Sequence, residues 1–262
     1  MTETADTGDG KQIQSVRKAY TIIEYLEEHN EARITDISED LGLHPSTTTV
    51  HLQTLSNLGL LQPSEQGTYQ LSYRFLEIGG KCRKNNSRIY QAVRPKVDQL
   101  SQEKNEVASI GVEENGQRVL LYRTEPVEGI TDNAPVGQFM DMHMTSVGKA
   151  LLSTMSDEQI RAIVDTHGLA QATENTITDL DVLLDEIETV REEGYAIEDE
   201  EHITGVRAVA VPLDNLEDID NPAAISLAGP KHRFEHDRIE GELVEALLKY
   251  KNIISLEYEH YS

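Results

Sequence analysis

Apolar residues recur at helical spacing in SVRKAYTIIEYLEE (15–28), where Val16, Ala19, Ile22, Ile23 and Leu26 share one face. The pattern breaks at His29–Arg33. ITDISEDLG (34–42) then reads as a short helix capped by Thr35 or Asp36 and closed by Gly42. Pro45 suits the first position of a third helix, where its missing N–H costs nothing. Along that helix Thr48, Leu52, Leu55 and Leu58 point inward, and Gly59 ends it. LLQPSEQGTYQL (60–71) reads as two short strands around a turn. After Pro95 the pattern mixes periods. KVDQLSQEKN (96–105), SVGKALLS (146–153), MSDEQIRAIVDTHG (155–168) and DLDVLLDEIETVREEG (179–194) read as helices. EVASIGVEENGQRVLLYRTEP (106–126) holds two strands around Glu113–Gly116, and GVRAVAVPL (205–213) and AAISLAGP (223–230) are strands.

Three helices followed by a two-stranded wing describe a winged helix-turn-helix. The second half describes helices packed on a sheet, an α+β arrangement. At 262 residues the chain is long enough for both. Charge separates them. The formal net charge is −24, yet residues 11–94 hold 10 Lys/Arg against 9 Asp/Glu, while residues 95–262 hold 13 against 35. The expected organisation is a disordered arm over 1–10, the winged helix-turn-helix over 11–72, a connecting helix over 73–94, and an α/β domain over 95–262. The connector carries Arg74, Lys81, Arg83, Lys84, Arg88 and Arg94 with Glu77 as its only acid. Low lysine, abundant Asp/Glu and few large apolar residues resemble the composition of proteins from salt-loving cytoplasms.

The exposed face of the third helix would be Pro45, Ser46, Thr47, Val50, His51 and Thr54. It contains neither Lys nor Arg, which is unexpected for a surface that meets a polyanion. Hydroxyl groups can still contact phosphates or base edges, and Val50 can touch a thymine methyl. Arg17 and Lys18 on the first helix, or these with the basic connector, would then supply the phosphate grip, with Ser15 beside them as a further DNA contact. The competing reading is a polar surface of the kind that winged-helix domains present to proteins.

SVRKAYTIIEYL, ITDISEDLGLHPSTTTVHLQTLSNLGLL and GTYQLSYRFLEIGG resemble the DNA-binding domain of the IclR family of transcription regulators. APVGQFMDMHMTSVGKALLS, NTITDLDVLLDEIETVREEGYAIEDEEHITGVRAVAVPL and AAISLAGP resemble that family's GAF-like effector-binding domain. The family's usual basic residue before the Ser-Thr pair is Pro45 here, and its usual Arg four residues beyond that Ser is Val50. The resemblance implies a linker helix that assists dimerisation and a pocket for a small organic or aromatic acid. On the family pattern that pocket comprises Thr145, Ser146 and Val147, facing Gly205, Val206, Arg207 and Ala208, with Ser226 and Ala228 on the next strand. Ala208 stands where many relatives have Cys. Arg207 would pair a carboxylate bidentately, or else one of the acids at 198–201.

Other chemistry is poorly supported. SVGKA (146–150) lacks the Gly and Ser/Thr of a phosphate-binding loop, having His143 and Ala150 in those slots. No G-x-S-x-G elbow occurs. AIEDEEH (196–202) near His143 offers metal-ligand residue types, but reads more simply as a solvated acidic loop. Cys82 is the single cysteine and has no internal disulfide partner. No run of apolar residues is long enough for a membrane span. The expectation is a cytoplasmic homo-oligomer, dimer or tetramer, with no catalytic residues, metal or cofactor. Its partners would be a pseudo-palindromic double-stranded DNA operator and a small carboxylate effector. The alternatives are an effector-binding protein that no longer binds DNA, and an enzyme on a GAF-like scaffold.

A neutral third helix makes a prediction about salt. With about two to three phosphates neutralised per subunit, a dimer releases few counterions, so log K against log[salt] should slope roughly −4 to −5. The acidic second half repels DNA, and salt screens that repulsion, flattening the slope further. Val50→Arg should raise low-salt affinity and steepen the slope. Operator titration by fluorescence anisotropy tests this; a wild-type slope steeper than about −8 would refute it.

Overall fold

In a computed structural model the chain divides into two compact units, Met1–Asn85 and Asn86–Ser262. Residues 12–85, 87–126, 134–214, 216 and 222–260 are described. The arm expected over residues 1–10 lies outside them.

The first unit runs α1 (Gln14–His29), β1 (Glu31–Arg33), α2 (Ile34–Asp40), α3 (Pro45–Asn57), β2 (Leu61–Pro63), β3 (Thr68–Leu71) and α4 (Arg74–Asn85). Ile22, Leu26, Ile37, Leu52, Leu55 and Leu61 form its core, and Thr48 is fully buried beside them. Two expected core residues are outside it: Val16 and Leu58 are 63% and 65% exposed. Tyr25 is buried instead. Its hydroxyl donates to Asp40 Oδ2 at 2.6 Å, which gives the one polar atom of a large side chain a partner and fastens α1 to α2. Beside that carboxylate the phenol pKa is pushed up to about 12. The cap of α2 is Arg33, not Thr35 or Asp36. Asp36 serves as the third helical residue, accepting the Arg33 N–H at 3.1 Å. The break at 29–33 contains a strand: β1 pairs with β3, so the wing is a three-stranded sheet of order β1-β3-β2.

The stretch 73–94 is helical on both sides of residue 86, which lies outside the described residues. It is shared between α4 and α5 (Ser87–Lys104), and α5 continues through Pro95. A proline inside a helix costs a backbone hydrogen bond. Pro95 and Gln91, the residue whose carbonyl is released, are both exposed, so water can take the missing donor's place. Ala92, Val93, Val97 and Leu100 keep the opposite face buried across the proline. Burial, rather than the charge boundary, decides where the second unit begins. In α4, Glu77 answers two of the connector's cations, pairing with Arg74 and, at 2.6 Å, with Lys81.

The second unit continues with β4 (Val107–Glu114), β5 (Gln117–Thr124), β6 (Phe139–Asp141), α6 (Ser146–Leu152), α7 (Asp157–His167), α8 (Leu180–Glu193), β7 (Ala196–Asp199), β8 (Val206–Pro212), β9 (Ala223–Pro230), a helical turn α9 (His236–Arg238) and α10 (Val244–His260). The sheet is antiparallel, in the order β6-β5-β4-β9-β8-β7. Its strands alternate between two layers, as a pleated backbone requires. Ile110, Val209, Val211, Ile225 and Leu227 meet α5 and α10 on one face. Ala210 and Ala224 meet α6, α7 and α8 on the other. Among the described residues no helix is long and apolar enough to cross a membrane.

Helix α6 is buried along its whole length. The small residues beneath it permit that, and so does Gly148, where an added Cβ would stand 2.1 Å from the Met142 carbonyl oxygen. The obstacle is backbone and cannot rotate away. Gly148→Ala should therefore destabilise the second unit by about 3 kcal/mol despite alanine's better helix propensity. Urea denaturation of the variant measures it; no loss of stability would refute this packing.

Candidate functional sites

The first candidate is the outer face of α3. Pro45, Ser46 and Thr54 are exposed, Val50 is 61% exposed, and Thr47 and His51 are half-buried. Ser15 and Arg17 are exposed and Lys18 half-buried on α1. The residue that sequence reasoning missed is His44. It caps α3, its Nδ1 accepting the Ser46 N–H at 3.3 Å and lying 2.8 Å from Ser46 Oγ. Proline at the first helical position thus follows a cap that already engages Ser46. Thr54 donates its hydroxyl to the Val50 carbonyl at 2.8 Å and Thr49 donates to Pro45 at 2.8 Å, so these oxygens remain as acceptors. Such a face suits base donors and apolar edges better than phosphates.

The second candidate is a cavity of about 90 Å³ in the second unit. By alternation, Val107, Ser109 and Gly111 of β4, Val206 and Ala208 of β8, and Ser226 and Ala228 of β9 all face it. The floor is made of small side chains, and Ser109 Oγ lies 2.8 Å from Ser226 Oγ. Thr145, Ser146 and Val147 enter from the start of α6, with Thr145 capping that helix by accepting the Gly148 N–H at 3.0 Å. Gly111 keeps the wall open: a Cβ there would lie 2.7 Å from Val147 Cγ1 and 3.1 Å from Arg118.

Seven of the nine residues expected around the ligand line this cavity. Gly205 and Arg207 do not. Arg207 lies between Val206 and Ala208 on a strand, so it points to the other face of the sheet. There it pairs with Asp199 at 2.5 Å, directly opposite on β7, and donates to the Phe234 carbonyl at 2.7 Å. This is the internal ion pair that the sequence offered as the alternative. Gly205 forms the turn before β8, with φ +82°, and its N–H donates to Glu200 Oε2 at 2.8 Å.

The cavity's charged groups were not foreseen. Arg118 is buried on β5 and donates to Met140 Sδ at 3.2 Å. Arg123 pairs with Glu125 at 2.8 Å. His202 and Glu198 complete the wall. The acidic run at 196–202 is therefore not a solvated loop. It begins as strand β7, and the same alternation that buries Ala196 buries Glu198. Glu201 is buried too, and accepts from Lys149 Nζ at 2.8 Å; Lys149 is fully buried and also donates to Glu186 at 2.8 Å. Desolvation first, and then the Glu201 charge, push the Glu198 carboxyl up to about 7, against the pull of Lys149 and a hydrogen bond from the Ser146 N–H. Among the described residues no group of His, Cys, Asp and Glu could hold a metal ion.

Comparison with known proteins identifies both units. Residues 84–256 match the model of the bacterial transcriptional regulator IclR C-terminal domain, and residues 15–65 match the IclR helix-turn-helix domain. The chain is 26% identical over 260 residues to the Halobacterium salinarum protein named Probable HTH-type transcriptional regulator ArcR, covering 98% of each. It is 30% identical over 244 residues to the HTH-type transcriptional repressor AllR of Salmonella typhi, covering 91% of this chain and 89% of the repressor. Among solved structures, Thermotoga maritima IclR matches with a TM-score of 0.74 at 22% identity, over 94% of this chain and 99% of that one. An IclR homolog from Microbacterium hydrocarbonoxydans, complexed with 4-hydroxybenzoate, matches with a TM-score of 0.77 at 20% identity over the same shares.

Glu198 makes stability depend on pH in a defined direction. The folded protein keeps its proton up to about 7, whereas the unfolded carboxyl releases it near the ordinary 4.5. Stability should fall as pH rises through that window and stay reduced above it. Glu198→Gln, which retains an acceptor for Ser146, should therefore gain up to ~3 kcal/mol over wild type at pH 8, and little at pH 4.5. Paired urea titrations at the two pH values would show it; equal gains at both would exclude a proton held by Glu198.

Proposed function

The chain belongs to the IclR family of transcriptional regulators, and on that premise we propose a cytoplasmic, homo-oligomeric regulator whose operator binding is controlled by a small carboxylate in the second unit's cavity. The observation that carries the DNA reading is the split face of α3: Thr48, Leu52 and Leu55 are buried, while Ser46, Val50 and Thr54 are exposed at the same helical period. One such helix reads few bases, so paired units on half-sites about one helical turn apart, or a multiple of that, are expected. A pseudo-palindromic operator follows from that symmetry. The boundaries proposed for the division of labour are 11–85 for DNA and 86–262 for effector binding and oligomerisation, in keeping with the compact units.

The cavity supports the effector reading. It is a cavity of about 90 Å³ with a floor of small side chains, suited to a small organic acid. Buried Arg118 supplies positive charge. The homolog that holds 4-hydroxybenzoate supports an acid as ligand. The acidic composition suits a concentrated salt solution, where repulsion among surface carboxylates and between the protein and DNA is screened.

The α3 reading separates two adjacent threonines. Thr47→Ala should weaken operator binding with little change in melting temperature. Thr48→Ala, which removes a fully buried side chain, should cost stability by about 1–2 kcal/mol. Anisotropy on operator fragments mapped from the host genome, run beside thermal melts, distinguishes them. If neither change alters DNA binding while the fold is intact, α3 is a protein-binding surface instead.

A further inference from the structure

We propose that Glu198 is a specificity-determining residue of the cavity: it holds a proton opposite the bound anion, so that a small carboxylate enters together with one proton and accepts a hydrogen bond from the Glu198 carboxyl. This rests on the reading of the cavity as the effector site and names what that site requires of its ligand.

Glu198 lies on β7 opposite Ala208, and both side chains face the cavity. It is 6% exposed, so water contributes little to keeping it ionised. The nearby ammonium of Lys149 is already shared by Glu186 and Glu201, each at 2.8 Å. Its pull is therefore largely spent on two other carboxylates. The Ser146 N–H at the start of α6 also favours the Glu198 anion, but more weakly than burial opposes it.

Adding a second carboxylate to such a cavity brings two like charges together in a low dielectric, against which Arg118 pulls, and favours a proton on one of them. The proton goes to Glu198, which without ligand is already pushed up to about 7 by burial and by Glu201. One proton is taken from solvent, one O–H bond forms on Glu198, and that O–H donates to a ligand oxygen. The sign follows from linkage. The bound-state pKa lies above the free one, so affinity is full below the free value and is lost as pH rises past it, approaching about tenfold per pH unit. A neutral amide of the same shape needs no proton. The cavity should therefore prefer acids over amides at low pH and lose that preference at high pH.

The charged groups around Glu198 come from every neighbouring element. Arg118 and Arg123 lie on β5, Lys149 on α6, Glu186 on α8, and Glu201 and His202 follow β7. His202 is of a type that can also take up a proton in the neutral range, so it has to be controlled for.

The test is calorimetric binding to the full chain between pH 6 and 9, in two buffers of different ionisation heat. The probes are acetate, lactate, succinate and 4-hydroxybenzoate, with acetamide and lactamide as neutral counterparts. The tightest carboxylate should bind with uptake approaching one proton and weaken about tenfold per unit well above pH 7. Glu198→Gln should bind it with little pH dependence, and His202→Gln should keep the wild-type profile. In wild-type protein carrying ¹³C-labelled glutamate carboxyls, the ligand should move one titration midpoint upward, a readout that needs no variant. PH-independent binding that a cavity-filling Ala208→Trp removes would overturn the role of Glu198 alone. So would proton uptake that survives in Glu198→Gln or vanishes in His202→Gln. Carboxylate binding untouched by Ala208→Trp, or absent for all four acids, would overturn the effector-site reading itself and the proposal with it.

Discussion

A fully buried ammonium must be met by carboxylates, and Lys149 dictates where three parts of the second unit can lie. It is inaccessible to solvent and donates at 2.8 Å to Glu186 on α8 and at 2.8 Å to Glu201 beyond β7. Removing Lys149 would leave the buried Glu201 carboxylate without its cation, which is far costlier than never having buried the pair. Helix α6, which carries Lys149, is therefore tied at once to a neighbouring helix and to the edge of the sheet. The close approach at Gly148 and the alanines of β8 and β9 let α6 descend far enough to make both contacts.

The cavity is a by-product of that packing. Where α6 begins, the sheet offers Ser109, Gly111, Ala208, Ser226 and Ala228, which are too small to fill the space left by the turn into the helix. The same cluster sets the electrostatics. Because Lys149 is engaged elsewhere, Glu198 faces the cavity with a carboxyl that burial disfavours as an anion. A structural ion cluster and a cavity-facing acid thus share one set of charges. Acidity across the chain, usually a matter of surface, here reaches inside: Glu106 is also buried, paired with Arg233 at 2.6 Å and Arg238 at 2.7 Å.

On the proposed reading, DNA recognition without a basic third helix follows from a division of tasks. The α3 face offers hydroxyls and a methyl-bearing side chain, and its first turn is organised by His44 rather than left open. In the proposed reading, phosphate affinity comes from Arg17 and Lys18 and from the basic residues of α4. Contacts of that kind set affinity and its salt dependence, whereas base-edge contacts set sequence preference.

Periodicity alone determined much. The three helices and wing, the β4–β5 hairpin, helices α6 to α8 and the long strands β8 and β9 were legible because each buries one face at its own period. The inward position of Thr48 was legible for the same reason. The side to which Arg207 points was also legible in principle: three consecutive strand residues cannot all face one cavity, and the alternation of Val206, Arg207 and Ala208 sends the middle one away. What the sequence did not disclose were elements whose partners are remote. Strand β1 exists because β3 pairs with it, and β6 and β7 exist as edges of a sheet assembled from distant segments. The charge step at residue 94 did not fix a boundary, because α5 is held by its buried face and not by its composition. Above all, a run of acids looks solvated in one dimension. Only the fold could bury Glu198 and Glu201 against Lys149, since the desolvation and the compensating cation come from residues about 50 positions apart in the chain.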